Sequence, residues 1–290
     1  MPIPRRKGNG HEPSVVMRMR VRTLVFLGCQ LLFMGQTPAA PAFEDVSFEA
    51  SSKYKGKAIR LRGELLRPPA NHKLPAVVLM HGCSGWLPAA HAALRTHSQY
   101  LAQHGFIVLN LDSSGPRGNV GELVCEDAQE ASDAIEYRTE DAFDAMAFLQ
   151  SRPDVDGRNI FLMGQSLGAI VALRTAMLDR RGFRAVAAFY PHCFVLQNVS
   201  PLKLAAIVFA GEKDDWTPAF SCTIAKGIDR MPGADFELIV YPGAVHGFDL
   251  EIKIQTYIRY LVGHDAHAAS DSRDRMLAFF KRHMASPGAK

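Results

Sequence analysis

An α/β fold, with a mainly parallel sheet covered by helices on both faces, is what this sequence predicts, and three observations carry the prediction. Short apolar runs alternate with helix-period stretches from Ala76 onward. Each such run is apolar throughout instead of alternating, as a strand buried on both faces must be. The third observation is the stretch at 158–178. There Ile160 to Met163, then Gly164-Gln165-Ser166-Leu167-Gly168, then a run with Ile170, Val171 and Leu173 succeed one another as strand, sharp turn and helix.

Taken in order, residues 1–42 read as an export signal. Arg18, Arg20 and Arg22 form a basic flank, Thr23 to Gly35 is an apolar run of 13 residues, and Ala40 and Ala42 supply an A-x-A pattern with cleavage after Ala42. Thirteen apolar residues are short for a bilayer span. Met17 or Met19 is an alternative start. Cys29 as a lipid-attachment site, or the segment persisting as an anchor, are the competing readings. The remaining residues, 43–290, form one domain without a linker, repeat or low-complexity tract. They carry 27 Lys or Arg against 28 Asp or Glu, so the excess positive charge of the whole chain belongs to the leader. A nearly neutral body gives no electrostatic case for nucleic-acid binding. With 48% hydrophobic residues the chain can build a substantial core.

Residues 43–70 alternate, as in Ala58-Ile59-Arg60-Leu61-Arg62, and predict antiparallel strands ending at Pro68-Pro69. Strands follow at 76–80 and 106–111, with a helix at 91–104 between them. Residues 112–135 read as a long loop, 140–150 as a helix, and Asp154-Val-Asp-Gly157 as a turn into the strand before Ser166. Further strands are expected at 185–189, 205–209 and 236–240, with helices at 219–230 and 271–284. The connection from Phe189 to Ala205 has no room for a helical cap domain, which predicts an open cleft.

A serine at the tip of a strand-turn-helix junction is pushed above the sheet, and the following helix aims free N–H groups and its positive end beside the hydroxyl. Serine is a weak nucleophile at its ordinary pKa and needs a base, which needs an orienting carboxylate. Asp214 and Asp215 follow the strand at 205–209, and His246 follows the strand ending at Val240. Nucleophile, acid and base then lie beyond the C-terminal ends of successive strands, where α/β folds assemble their sites. A second donor of an oxyanion hole is the Cys83 N–H in His81-Gly82-Cys83-Ser84-Gly85, meeting that of Leu167. Without the leader the cysteines number four, Cys83, Cys125, Cys193 and Cys222, and an even count in an exported protein points to disulfides. Neither C-x-x-C nor H-E-x-x-H occurs, so no metal site is expected.

Through HGCSGW (81–86), LDSSGPRG (111–118), GQSLG (164–168), FYPHC (189–193), GEKDDWTP (211–218) and AVHGFD (244–249), residues 55–285 resemble the dienelactone hydrolase family of the α/β-hydrolase superfamily. The resemblance implies an α/β-hydrolase fold with Ser166 as nucleophile, His246 as base and Asp214 as acid. Asp214 is preferred over Asp215 because Pro218 stands four residues beyond it. The strand order of that superfamily implies the pairs Cys83–Cys125 and Cys193–Cys222. Arg117, as a loop arginine, and Trp216 become the candidate substrate-binding residues. The best-known members use cysteine restrained by a glutamate in the first oxyanion loop, whereas this chain has Ser166 and, at the glutamate's place, Gly82. A periplasmic or secreted serine esterase acting on a small ester or lactone, with neither metal nor cofactor, is therefore expected. A peptidase of the same fold and a non-catalytic binding protein on a hydrolase scaffold are the alternatives. The first would need subsites that so short a chain lacks, and the second would fail to react with a fluorophosphonate.

Overall fold

Two antiparallel strands open the computed structural model, which describes residues 42–118, 123–178, 182–197, 201–224, 231–232 and 234–285. The export signal expected at residues 1–42 falls, up to residue 41, outside the described residues. Strand β1 (Phe43–Tyr54) pairs with β2 (Lys57–Leu66), and β2 pairs antiparallel with β4 (Ile107–Asp112). From there the sheet is parallel. It comprises β3 (Leu74–Met80), β5 (Val155–Gln165), β6 (Phe183–Phe189), β7 (Ala205–Gly211) and β8 (Phe236–Tyr241), in the order β1-β2-β4-β3-β5-β6-β7-β8. After β3 the chain steps outward to β4, then crosses back to place β5 on the other side of β3. The loops leaving β3 and β5 therefore diverge at a topological switch point, and a crevice opens between them.

The parallel strands are apolar throughout because each feeds two cores. Ala76, Val78 and Met80 of β3 belong to one cluster with Ala142, Ala145 and Leu149, while Val77 and Leu79 belong to another with Leu94, Phe279 and Phe280. Helices α3 (Ala128–Ser151) and α4 (Leu167–Met177) cover the first face, and α1 (Pro88–Gln103) and α6 (Ala266–Arg282) the second. The short α2 (Leu123–Glu126) and α5 (Phe220–Ile224) lie in connections.

Four local readings change. The loop expected at 112–135 ends early, because Asp127 accepts hydrogen bonds from the Gln129 and Glu130 N–H groups at 2.8 and 2.9 Å and starts α3 at Ala128. Asp127 followed by Glu130 has the spacing of a capping box, and the density of acids in that stretch hid it. Val155 already pairs with Leu74, before a register shift that resumes pairing at Ile160 and Ala76, so the expected turn is the bulged start of β5. Helix α6 begins at Ala266, capped by the Asp265 carboxylate on the Ala268 N–H. Finally, a small hairpin, β9 (Gln255–Tyr257) with β10 (Tyr260–Val262), stands where no element was read. Of the helix expected at 219–230, residues 220–224 are helical and 225–230 lie outside the described residues. Among the described residues, the β6–β7 connection carries one 3-10 turn, Cys193–Gln197, and no helix is long and apolar enough to cross a membrane.

Both expected disulfides are present, Cys83–Cys125 and Cys193–Cys222. They close separations of 42 and 29 residues, each worth roughly 3–4 kcal/mol by loop-closure entropy.

Candidate active site

Ser166 stands between β5 and α4 at φ 50° and ψ −116°, a conformation unusual for a residue with a side chain. Its neighbours explain how the strain is held. A Cβ on Gly164 would lie 2.0 Å from the Gly168 carbonyl oxygen of α4, and one on Gly168 would lie 2.4 Å from the Met80 carbonyl oxygen of β3. Strand, turn and helix thus touch backbone to backbone, and Ser166 N–H donates to the Phe189 carbonyl of β6 at 2.9 Å. The serine cannot relax without separating three elements.

Three loops converge on this serine. His246, in the loop after β8, places Nε2 3.0 Å from Ser166 Oγ. Its Nδ1 lies 2.8 Å from Asp214 Oδ2, in the loop after β7. The orientation is that of Oγ–H donating to Nε2 and Nδ1–H donating to the carboxylate. Asp214 Oδ1 accepts the N–H groups of Trp216 and Thr217 at 2.9 and 2.8 Å, and the Thr217 hydroxyl donates to Oδ2 at 2.8 Å. Burial alone would raise the Asp214 pKa. The charge and hydrogen bond of His246 and the Thr217 bonds outweigh it, and the carboxyl falls below its ordinary value. Asp215 turns elsewhere and accepts the Leu261 N–H at 2.9 Å, anchoring the β9–β10 hairpin. The adjacent aspartates point in different directions. One faces the imidazole and the other faces a strand edge.

The loop after β3 supplies the opposite wall. Gly82 comes so near that a Cβ there would sit 3.4 Å from Ser166 Cβ, and Cys83 lines the same pocket as Ser166. Cys83 is tied through its disulfide to α2, and Leu167 is the first residue of α4, whose N-terminal amides lack helical partners. Beneath this loop His81 is fully buried, with Nδ1 2.6 Å from the Gly82 carbonyl and Nε2 accepting the Ser113 N–H at 3.3 Å. Arg138, also fully buried, donates to the His81 carbonyl. Burial, then the Arg138 charge, lower the His81 pKa from 6.5 to about 3.

That shift has a sign for stability. The folded state holds His81 neutral while the unfolded chain takes up its proton below pH 6.5, so the contribution is complete above 6.5 and is lost as pH falls toward about 3. By pH 5 the loss amounts to about 2 kcal/mol. Urea midpoints should fall between pH 7.5 and 5.0, and the drop should shrink in His81→Asn.

Three features were not found in the sequence. Asp249, wholly buried, accepts His97 Nε2–H at 2.7 Å, Gln165 Nε2–H at 2.6 Å and the Tyr190 hydroxyl at 2.6 Å. Burial raises its pKa, but these bonds and the His97 charge hold it below the ordinary value. The network locks the residue before Ser166, the residue after β6 and the segment after His246 into one unit. His97 shares the inward face of α1 with Leu94 and Leu101, and that spacing is the signal that was available. The second feature is Thr217, which braces Asp214. The third is the hairpin, tied to the histidine loop by a bridge between His246 and Val262 and by the Gly263 N–H on the His246 carbonyl at 3.1 Å.

Of the two candidate substrate-binding residues, Trp216 lines the pocket, its ring 4.8 Å from that of His246. Arg117 does not. Its side chain is fully buried, bidentate on Asp141 at 2.7 and 2.8 Å and bonded to the Ser113 carbonyl at 2.7 Å, with the Tyr137 ring 4.2 Å away. A guanidinium so occupied cannot reach a substrate. The expectation of a carboxylate-binding arginine here is corrected to a structural ion pair that fixes the loop after β4.

Comparison with known proteins agrees with this architecture. A polyketide transferase of Stachybotrys chlorohalonatus is 34% identical over 80 residues, 28% of this chain and 26% of its own length. A thiohydrolase of Aspergillus aculeatus is 32% identical over 123 residues, 42% of this chain and 35% of its own. The matched part thus spans about a quarter to a third of these curated relatives. The crystal structure of dienelactone hydrolase from Anabaena variabilis superposes with a TM-score of 0.63 at 17% identity, covering 84% of this chain and 99% of that one. The model of the family described as "Dienelactone hydrolase family" matches residues 61–284, and with that share of its length matched, on an α/β-hydrolase fold, the chain belongs to the dienelactone hydrolase family.

Proposed function

We propose that this chain is an exported serine hydrolase that cleaves carboxylic esters or lactones through an acyl-enzyme, with Ser166, His246 and Asp214 as its triad. Residues 1–42 are its removable signal and 43–290 its hydrolase domain. The observation that carries the reading is the unbroken chain from Ser166 Oγ through His246 to Asp214 Oδ2, at 3.0 and 2.8 Å. As Oγ bonds to the acyl carbon, its proton passes to His246 Nε2, and Asp214 steadies the imidazolium. Negative charge on the former carbonyl oxygen meets the Cys83 and Leu167 N–H groups. Collapse breaks the bond to the leaving oxygen, which takes the Nε2 proton. Water then attacks the acyl carbon, gives a proton to Nε2 and releases the acid as Ser166 recovers its hydrogen. Two disulfides support an oxidising compartment.

An alkyl fluorophosphonate tests the assignment, since it reacts with an activated serine and ignores ordinary ones. One adduct per chain is expected, on the peptide containing Ser166. A protein left unmodified, or modified at another serine, would exclude the triad.

A further inference from the structure

The pocket onto which Ser166 and His246 open is about 360 Å3, within the range of small-ligand sites. Its composition is one-sided. Among the described residues no Lys, Arg, Asp or Glu lines it, and His246 is committed to Ser166 and Asp214. Away from the serine the lining includes Leu87, Leu250, Ile252, Tyr257 and Val262, with the Trp216 ring stacked on Tyr260 at 4.8 Å. Arg117, the loop cation expected to meet an anionic group, is held by Asp141 outside this lining. Much of the wall is the segment from Leu250 to Val262, and it is built in. His264 N–H bonds the Ile252 carbonyl at 2.9 Å, Leu261 N–H bonds Asp215 at 2.9 Å, and Gly263 packs against Ile254, where a Cβ would lie 2.5 Å from the Ile254 Cα.

From this lining we infer that the site selects uncharged, apolar acyl esters and rejects those bearing a carboxylate on the acyl chain, the inference resting on Ser166 being the nucleophile. A carboxylate seated here would lose its water and find no cation in the lining, only neutral groups such as those of Ser84 and Gln255, whereas a hydrocarbon chain loses only unfavourable hydration. The β9–β10 hairpin and the segment leading to it contribute to the selection, since Leu250, Ile252 and Val262 give the lining apolar surface while Lys253 and Arg259 lie outside it.

The test pairs methyl hexanoate with monomethyl adipate at pH 7.5, two six-carbon acyl chains that differ in a terminal carboxylate. With the wild-type protein, methanol release should give kcat/KM about 100-fold higher for the hexanoate. A ratio under tenfold, or a preference for the adipate, overturns the inference. Calorimetric binding to Ser166→Ala separates this outcome from failure of the triad, because it needs no turnover. Tighter binding of the hexanoate upholds the apolar site even if neither ester is hydrolysed by the wild type, and equal or weaker binding sinks it.

Discussion

Ser166→Ala should lower kcat for a simple ester by about 10^5-fold or more, and His246→Ala by a similar factor, while Ser166→Ala/His246→Ala should be scarcely slower than either alone. In the proposed mechanism nucleophile and base act as one device. Once Oγ is gone the imidazole has no proton to take, and once the imidazole is gone the hydroxyl keeps its proton at neutral pH. The residual rate would come from the oxyanion donors and from binding. Alanine keeps the Cβ that Ser166 already carries at φ 50°, so the substitution adds no backbone strain and the fold should be retained. Circular dichroism and the thermal midpoint check this alongside the kinetics. A folded Ser166→Ala protein that keeps its rate would remove the proposed chemistry.

Asp214→Asn should cost about 10^4-fold in kcat, and Asp215→Asn less than about tenfold. Asparagine at 214 keeps the size of the side chain and can still receive the Trp216 and Thr217 N–H groups through its oxygen. It would offer an NH2 toward Nδ1, favouring the tautomer with hydrogen on Nε2, the nitrogen that has to receive the serine proton. Asparagine at 215 leaves an oxygen for Leu261 N–H, so the hairpin stays anchored. Steady-state kinetics of the two variants settle the matter. If Asp215→Asn were the more damaging, the carboxylate at 2.8 Å from His246 would not be the orienting one.

The parallel sheet was legible because its strands are apolar on both faces, and the elbow because Gly164 and Gly168 bracket a serine between two such patterns. Position just past strand ends singled out His246 and the pair Asp214-Asp215, and only the resemblance, through Pro218, favoured Asp214 as the partner now seen facing the imidazole. What could not be read depends on side chains finding one another across the fold. The loop at 111–118 reveals an arginine but not that Asp141, on a helix begun earlier than expected, would claim it. His97 and Asp249 lie 152 residues apart, and neither carries a local sign of the other. The β9–β10 hairpin has strands of three residues, too short for periodicity to register, and it exists through the Asp215 anchor and the bridge to His246.

Under the proposed mechanism, Asp214 and Asp215 divide between them what the protein does and what it does it to. In the proposed mechanism proton traffic would lean on the first, while the second holds the hairpin that contributes to the pocket wall. Appetite is therefore modular here. Residues 250–257 can be rewritten to admit new molecules with less effect on His246 than changes at Val262, which bridges to it, provided the fastening at 215 is kept. A redesign that leaves no acceptor at 215 would free the Leu261 N–H and leave the hairpin held to the His246 loop through Val262 and Gly263.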